Sequence, residues 1–232
     1  MNEDLDLTLY ADADALVAAA THELLEIISL HLADKGICYI ALTGGTLGTQ
    51  FSESLVAKLN SKSGDFSGLH IFFSDERFVA TTSPLRNSLP VRSNLQNSSV
   101  TVHEVRSSDD AATAIESAAS YAAELREITM DICILGLGPD GHVASLFPNQ
   151  FDHSESAKAM AVLDSPKPPA ERITFSMNFI NQSDQVWIIA AGSNKADAVT
   201  QVVEGDLAIP AAHVSASQLT RLIADAQAFF AQ

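Results

Sequence analysis

The sequence predicts an α/β fold: a mostly parallel sheet flanked by helices on both faces, Rossmann-like, in a single domain spanning residues 1–232. Three observations carry this expectation. Short, continuously apolar runs at 37–42, 69–73, 132–135 and 185–191 read as strands buried on both faces. Longer stretches between them repeat apolar residues at helical spacing. Polar loops with Gly, Asp, Arg or Lys follow Leu42, Phe73, Leu135 and Ala191, and in a parallel sheet such loops gather on one edge.

Composition narrows the function classes. The chain has 232 residues, and 29 Asp and Glu against 13 Lys and Arg set a formal net charge of -16. A fold of this size buries roughly 70–75% of its unfolded surface, enough for a core without staples. The acidic balance disfavours nucleic acid or an anionic membrane as partner. Cys38 and Cys133 both sit in apolar runs, without metal-ligand spacing, and read as reduced buried thiols. The acidic start, Met1-Asn2-Glu3-Asp4, lacks the features of a signal peptide. No run matches the ~18–20 consecutive apolar residues of a membrane span, so the expected compartment is the cytoplasm.

In chain order, a helix is expected over 12–34, where Leu16, Ala19, Ala20, Leu24, Ile27, Ile28 and His31 share a stripe and Lys35-Gly36 makes a stop. A strand at 37–42 leads through Thr43-Gly44-Gly45-Thr46 into a helix over 47–59. A strand at 69–73 ends at Ser74-Asp75-Glu76-Arg77. The polar segment 81–97 reads as a loop with a short helix, and 100–105 as a strand. An alanine-rich helix is expected over 109–128, with Ser108 as its cap. After the strand at 132–135 and a turn, the segment following His142 has helical character. Residues 151–170 read as irregular, because Pro166-Lys167-Pro168-Pro169 precludes regular structure. Strands at 172–175 and 185–191 follow, then a helix to Val203. The tail from Ser217 fits either one helix or a strand and a short helix.

Two loops carry candidate chemistry. Glycines in Thr43-Gly44-Gly45-Thr46 let the backbone approach a ligand, and N–H groups at a helix start favour an anion. The alternative is a tight turn with nothing bound. Gly136-Leu137-Gly138-Pro139-Asp140-Gly141 matches the dinucleotide pattern G-x-G-x-x-G, but Pro139 removes a donor and Asp140 would oppose a pyrophosphate. His142 reads as a backbone-bonded histidine or as a general base oriented by Asp140 or Asp75. No His or Cys lies at ligand spacing from it, so no metal is expected. Ser145 lacks the strained elbow of a nucleophile. Arg77, Arg172 and Lys195 are three of the few cations and fall at loop-edge positions, the last two at opposite ends of neighbouring strands. A guanidinium with an ammonium suits a phosphate dianion.

The run from Gly136 to Pro148, Gly-Leu-Gly-Pro-Asp-Gly-His-Val-Ala-Ser-Leu-Phe-Pro, resembles the 6-phosphogluconolactonases, in the wider group that includes glucosamine-6-phosphate deaminase. Asp75-Glu76-Arg77-Phe78-Val79, Asn87, Pro168-Pro169 with Arg172-Ile173-Thr174, Gly192, Lys195-Ala196 and Pro210-Ala211 extend the resemblance in the same order over about residues 42–214. Departures are Thr43-Gly44-Gly45-Thr46-Leu47-Gly48 for the family's usual S-G-G-S-T-P, Arg86 where many members have Ser, and the C-terminal tail.

The resemblance implies a NagB/RpiA-type fold and hydrolysis of 6-phosphogluconolactone in the oxidative pentose phosphate pathway, without metal or cofactor. It implies His142 as general base, with Asp140, Asp75 and Arg77 in the catalytic group. Thr43, Gly44, Gly45, Thr46, Arg172 and Lys195 would hold the substrate phosphate, and Asn87 and Gly138 would line the rest of the pocket. The expected partner is a phosphorylated sugar lactone, with no nucleic acid or membrane, and the expected state a monomer or weak homo-oligomer. An aminosugar-phosphate deaminase or isomerase on the same scaffold, and a non-catalytic sugar-phosphate-binding domain, are the alternatives.

Overall fold

Alternating buried strands and helices organise the chain. A computed structural model describes residues 5–62, 64–150 and 154–230. The acidic start at 1–4 and the first residues of the irregular segment, 151–153, lie outside the described residues. The elements are β1 (Leu5–Tyr10), α1 (Ala13–Lys35), β2 (Cys38–Leu42), α2 (Gly45–Ser61), β3 (Leu69–Phe73), β4 (Asp75–Arg77), α3 (Leu89–Asn94), β5 (Thr101–Val102) and α4 (Ala114–Glu124). Then come β6 (Ile132–Gly136), β7 (Ala159–Val162), β8 (Arg172–Phe175), α5 (Met177–Asn181), β9 (Gln185–Ala190), α6 (Ala196–Glu204), β10 (Leu219–Asp225) and α7 (Ala226–Phe230).

Seven strands form one sheet in the order β1-β10-β9-β6-β2-β3-β5, and every pairing in it is parallel. Successive side chains of a strand point to opposite faces, so each central strand feeds two cores. Ile132 and Ile134 of β6 join Trp187 and Ile189 of β9 under α1 and α2. Cys133, Leu135, Val186 and Ile188 join the other core, with α4, α6 and α5. That two-sided burial is why these strands read as unbroken apolar runs.

The order of strands changes direction at β2. The chain moves from β2 to β3 and β5 on one side, then returns to place β6 on the other side. Ligands of open α/β sheets bind at such a switch, beyond the carboxyl ends of the strands. Thr43-Gly44-Gly45 follows β2 and Gly136 ends β6, so the two glycine loops face each other there. Thr43 Oγ1 accepts a hydrogen bond from the Gly136 amide at 3.1 Å and pins the two strand ends together.

Several sequence expectations are corrected. β1 is not among the expected elements; its Leu5, Leu7 and Leu9 alternate, but with acidic and polar residues, and among the described residues only β10 pairs with it. β4, β8 and β7 make a second, antiparallel sheet. Consequently β8 and β9 are not neighbours, and β7 lies within the segment read as irregular. β5 has two residues rather than the run 100–105. α4 is shorter than 109–128, and Thr113, not Ser108, caps it by accepting from Glu116 N. Residues 107–110 are instead a turn in which Asp110 accepts from the Ser107 hydroxyl. No helix follows His142: Val143 bridges to both Leu137 and Leu146, which curls the segment back on itself. The tail forms a strand and a short helix. α1, with a mean hydropathy of 1.4 in its most apolar window, is long and apolar enough to cross a membrane by length and composition. Here it lies on the sheet, burying Leu16, Val17, Ala20, Leu24 and Ile28.

Candidate active site

The turn after β6 presents a histidine against a carboxylate. Gly141 N donates to Gly138 O at 3.0 Å, and Gly138 N donates to His142 O at 2.8 Å, so the loop closes on itself. Gly141 takes φ +78°, a conformation that favours glycine. Over this loop His142 Nδ1 contacts Asp140 Oδ1. A Cβ at Gly138 would fall 1.8 Å from His142 Nδ1. Gly138 therefore makes room for the pairing, besides lining the cleft.

A third group completes the cluster. Lys167 Nζ lies 3.2 Å from Asp140 Oδ1 and 3.1 Å from His142 Nδ1. Burial lowers the His142 pKa; Asp140 opposes that shift and the Lys167 charge adds to it. Burial pushes Asp140 up, but the bond and charge of His142 and the Lys167 ammonium outweigh it and bring its pKa down to about 2. At neutral pH the arrangement is a neutral imidazole whose Nδ1–H points to an ionised carboxylate. Nε2 is then the nitrogen left to take a proton. Phe147, 1% exposed, lies beneath the cluster with its ring centroid 4.7 Å from that of His142.

The Asp75-Glu76-Arg77 motif splits by strand alternation. Asp75 and Arg77 line the cleft, while Glu76 points inward at 0% exposure. Glu76 accepts from the amides of Arg77, Asn87 and Ser88 and pairs with Arg86 at 3.5 Å. Burial raises its pKa, although Arg86 and those amides counter the shift. Asp75 is held on both oxygens: Ser145 Oγ donates at 2.7 Å and Asn87 Nδ2 at 3.0 Å. Ser145 is itself 1% exposed and acts as a support. Arg77 Nη1 donates to Leu85 O at 2.7 Å.

The glycine loop opens α2. Gly44 is its N-cap and offers no side-chain acceptor, so the first amides of the helix have no side-chain cap. A Cβ at Gly44 would collide with Asn87 Oδ1 at 1.8 Å. Asn87 thus packs behind the glycine loop and holds Asp75, rather than lining the cleft. Thr46 lines an adjoining cavity of about 540 Å³, which shares Gly44, Gly45, Gly136 and Lys195 with the cleft. The cleft itself, about 320 Å³, brings together Thr43, Gly44, Gly45, Asp75, Arg77, Gly138, His142, Lys167, Arg172 and Lys195. Burial, then Lys167, lowers the Lys195 pKa.

Arg172 is 4% exposed, and burial lowers its pKa. It donates to the carbonyls of Pro169, Lys167 and Pro168 at 3.2, 2.9 and 3.3 Å. Its guanidinium also sits 5.7 Å over the Phe147 ring. It therefore holds the loop that delivers Lys167. Sequence reasoning passed over Lys167 and Phe147. The usable signal was a lysine, in a chain short of cations, inside a proline run that regular structure does not explain.

A parallel sheet with a histidine–aspartate–lysine cluster, arginines and an uncapped helix start at its switch point defines an α/β protein built to act on a small anionic molecule. The chain belongs to the family described as glucosamine-6-phosphate isomerases/6-phosphogluconolactonase, whose model matches residues 11–223. It is 36% identical to a 6-phosphogluconolactonase of Mycobacterium tuberculosis, with 96% of each chain covered. The fold matches the 6-phosphogluconolactonase structure from Trypanosoma brucei with a TM-score of 0.83 at 24% identity, covering 97% of both chains. It also matches a monomeric glucosamine-6-phosphate deaminase with a TM-score of 0.75 at 17% identity, covering 98% of this chain and 100% of that one.

Proposed function

We propose that the protein hydrolyses 6-phospho-D-glucono-1,5-lactone to 6-phospho-D-gluconate, the lactone step of the oxidative pentose phosphate pathway, with His142 as general base. The observation that carries the reading is the His142–Asp140–Lys167 cluster opposite the uncapped start of α2. The name of the 36% identical relative, a 6-phosphogluconolactonase, supports the substrate. The resemblance at Asp75-Glu76-Arg77 and Pro168-Pro169 favours a lactonase over a deaminase.

In this mechanism Nε2 of neutral His142 takes a proton from water as the water oxygen bonds to the lactone carbonyl carbon. Asp140 stabilises the resulting imidazolium, and Lys167 keeps Asp140 ionised throughout. Arg77 offsets charge on the tetrahedral oxyanion, because preorganised cations act strongly in a partly dry site. When the ring carbon–oxygen bond breaks, the imidazolium returns its proton to the leaving ring oxygen. The products are a carboxylic acid, which ionises, and a free hydroxyl. The phosphate is held by the amides at Gly45 and Thr46, as helix starts favour anions, and by Lys195. Arg172, which the resemblance assigns to the phosphate, also acts on the His142 end by holding the Lys167 loop.

The test is freshly made lactone, with acid release followed against the spontaneous background. His142→Ala should lower kcat by ~10²–10⁴-fold, the usual worth of positioned acid–base help. Near wild-type turnover in that variant would remove His142 as the base. Turnover of glucosamine 6-phosphate instead of the lactone would favour the deaminase, and tight sugar-phosphate binding without turnover a binding domain.

A further inference from the structure

A second cluster lies at the opposite edge of the sheet from the cleft. His31 is in the last turns of α1, Cys38 opens β2, and Asp131 immediately precedes β6. The positions 31, 38 and 131 match no ligand spacing, yet a ring nitrogen, a sulfur and a carboxylate oxygen from them lie within 4.8 Å of one another. Cys38 is 0% and Asp131 7% exposed, so this is not a solvated patch of acids. His31 Nδ1 lies 3.1 Å from Asp131 Oδ1. That nitrogen is buried and has no hydrogen-bond partner among the described residues. Asp131 is fixed by Tyr39 N, which donates to Oδ2 at 2.7 Å. Its Oδ1 accepts from Lys35 Nζ at 3.0 Å.

We propose that His31, Cys38 and Asp131 form a binding site for a zinc-class divalent cation, with imidazole nitrogen, thiolate sulfur and carboxylate oxygen as its three protein ligands. That donor set suits a borderline-soft ion, and three protein ligands leave a fourth tetrahedral position for water. Two groups oppose binding, and both can give way. The thiol is pushed up to about 12 by burial and by Asp131, so the ion must displace its proton to solvent. The Lys35 ammonium competes for Asp131, but that side chain is 46% exposed and already lies 3.9 Å from Asp184 Oδ2, where it can turn. A bound ion would tie the end of α1 to the starts of β2 and β6, far from the chemistry of the cleft.

Cadmium is the probe, because a cadmium–thiolate bond has an ultraviolet charge-transfer band and the cleft contains no cysteine. Metal-stripped full-length protein should develop the band with one equivalent of cadmium, and zinc should abolish it by competition. Affinity should rise about tenfold per pH unit between about 7 and 9, since one thiol proton leaves per ion. Cys38→Ser should remove the band and Cys133→Ser should keep it. His31→Gln should weaken binding, and Lys35→Gln should tighten it by removing the competing cation. Zinc should raise the thermal midpoint of the wild type and leave that of Cys38→Ser unchanged. The proposal is overturned by the absence of a band, by a band that survives Cys38→Ser, or by affinities indifferent to both His31→Gln and Lys35→Gln.

Discussion

Gly138→Ala isolates the His142–Asp140 pairing without removing either partner. An added Cβ would lie 1.8 Å from His142 Nδ1, 2.1 Å from its Cε1 and 2.5 Å from Asp140 Oδ1. Ordinary contact begins at 3.4 Å, so the imidazole must retreat by about 1.6 Å, the difference of 3.4 and 1.8. The clashing atoms are side-chain ends, and Gly138 is not at positive φ. The backbone therefore tolerates alanine, and the fold should hold. A displacement of ~1 Å at a reacting group costs on the order of 10²-fold in rate. We expect kcat to fall by at least about that factor, roughly 2.7 kcal/mol of barrier, with the urea midpoint close to wild type. Gly64→Ala, whose added Cβ would meet nothing closer than 3.5 Å, is the control. Lactone hydrolysis at a wild-type kcat in folded Gly138→Ala would refute the claim that Asp140-held His142 is the working base.

Lys167→Met should shift the acid limb of the kcat/KM profile to higher pH. Lys167 lowers the His142 pKa, so without it the imidazole protonates, and stops acting as a base, at a higher pH; an unmoved limb would separate Lys167 from the base. Lys195→Ala should chiefly raise KM, by the ~1.5–3 kcal/mol of a charged hydrogen bond. Arg172→Ala should lower kcat as well, because it releases the loop that carries Lys167, and a pure KM effect would contradict that role. Arg86→Met should cost ~3–5 kcal/mol in urea unfolding at pH 7, since it leaves Glu76 buried without its cation. Burial already raises the Glu76 pKa, so the loss should shrink at pH 5, where the unpaired carboxyl can take a proton; an equal loss at both pH values would point to packing alone.

The parallel architecture was legible because its evidence is local. A four-residue apolar run such as Ile132-Cys133-Ile134-Leu135, too short for a helix and followed by a glycine cluster, reads as a strand covered on both faces and then a turn. The strands that were missed, β1, β4 and β7, are short or lie at edges. Half-polar or proline-flanked sequences such as theirs acquire extended structure from a partner strand rather than from their own pattern.

By itself the sequence determined the alternating α/β order, the two glycine loops, and the family resemblance that runs through His142, Asp75 and Arg77. Only the tertiary structure decided which groups meet. It brought Lys167 to His142 across 25 residues, set Asn87 behind Gly44, and made Arg172 the clamp of the Lys167 loop. It also gathered His31, Cys38 and Asp131 at the far edge. The physical reason is the same in each case. Strand and turn preferences are settled by neighbours in the chain, whereas a proton's position and a charge's partner are settled by distances of a few ångströms, which only the packed sheet supplies.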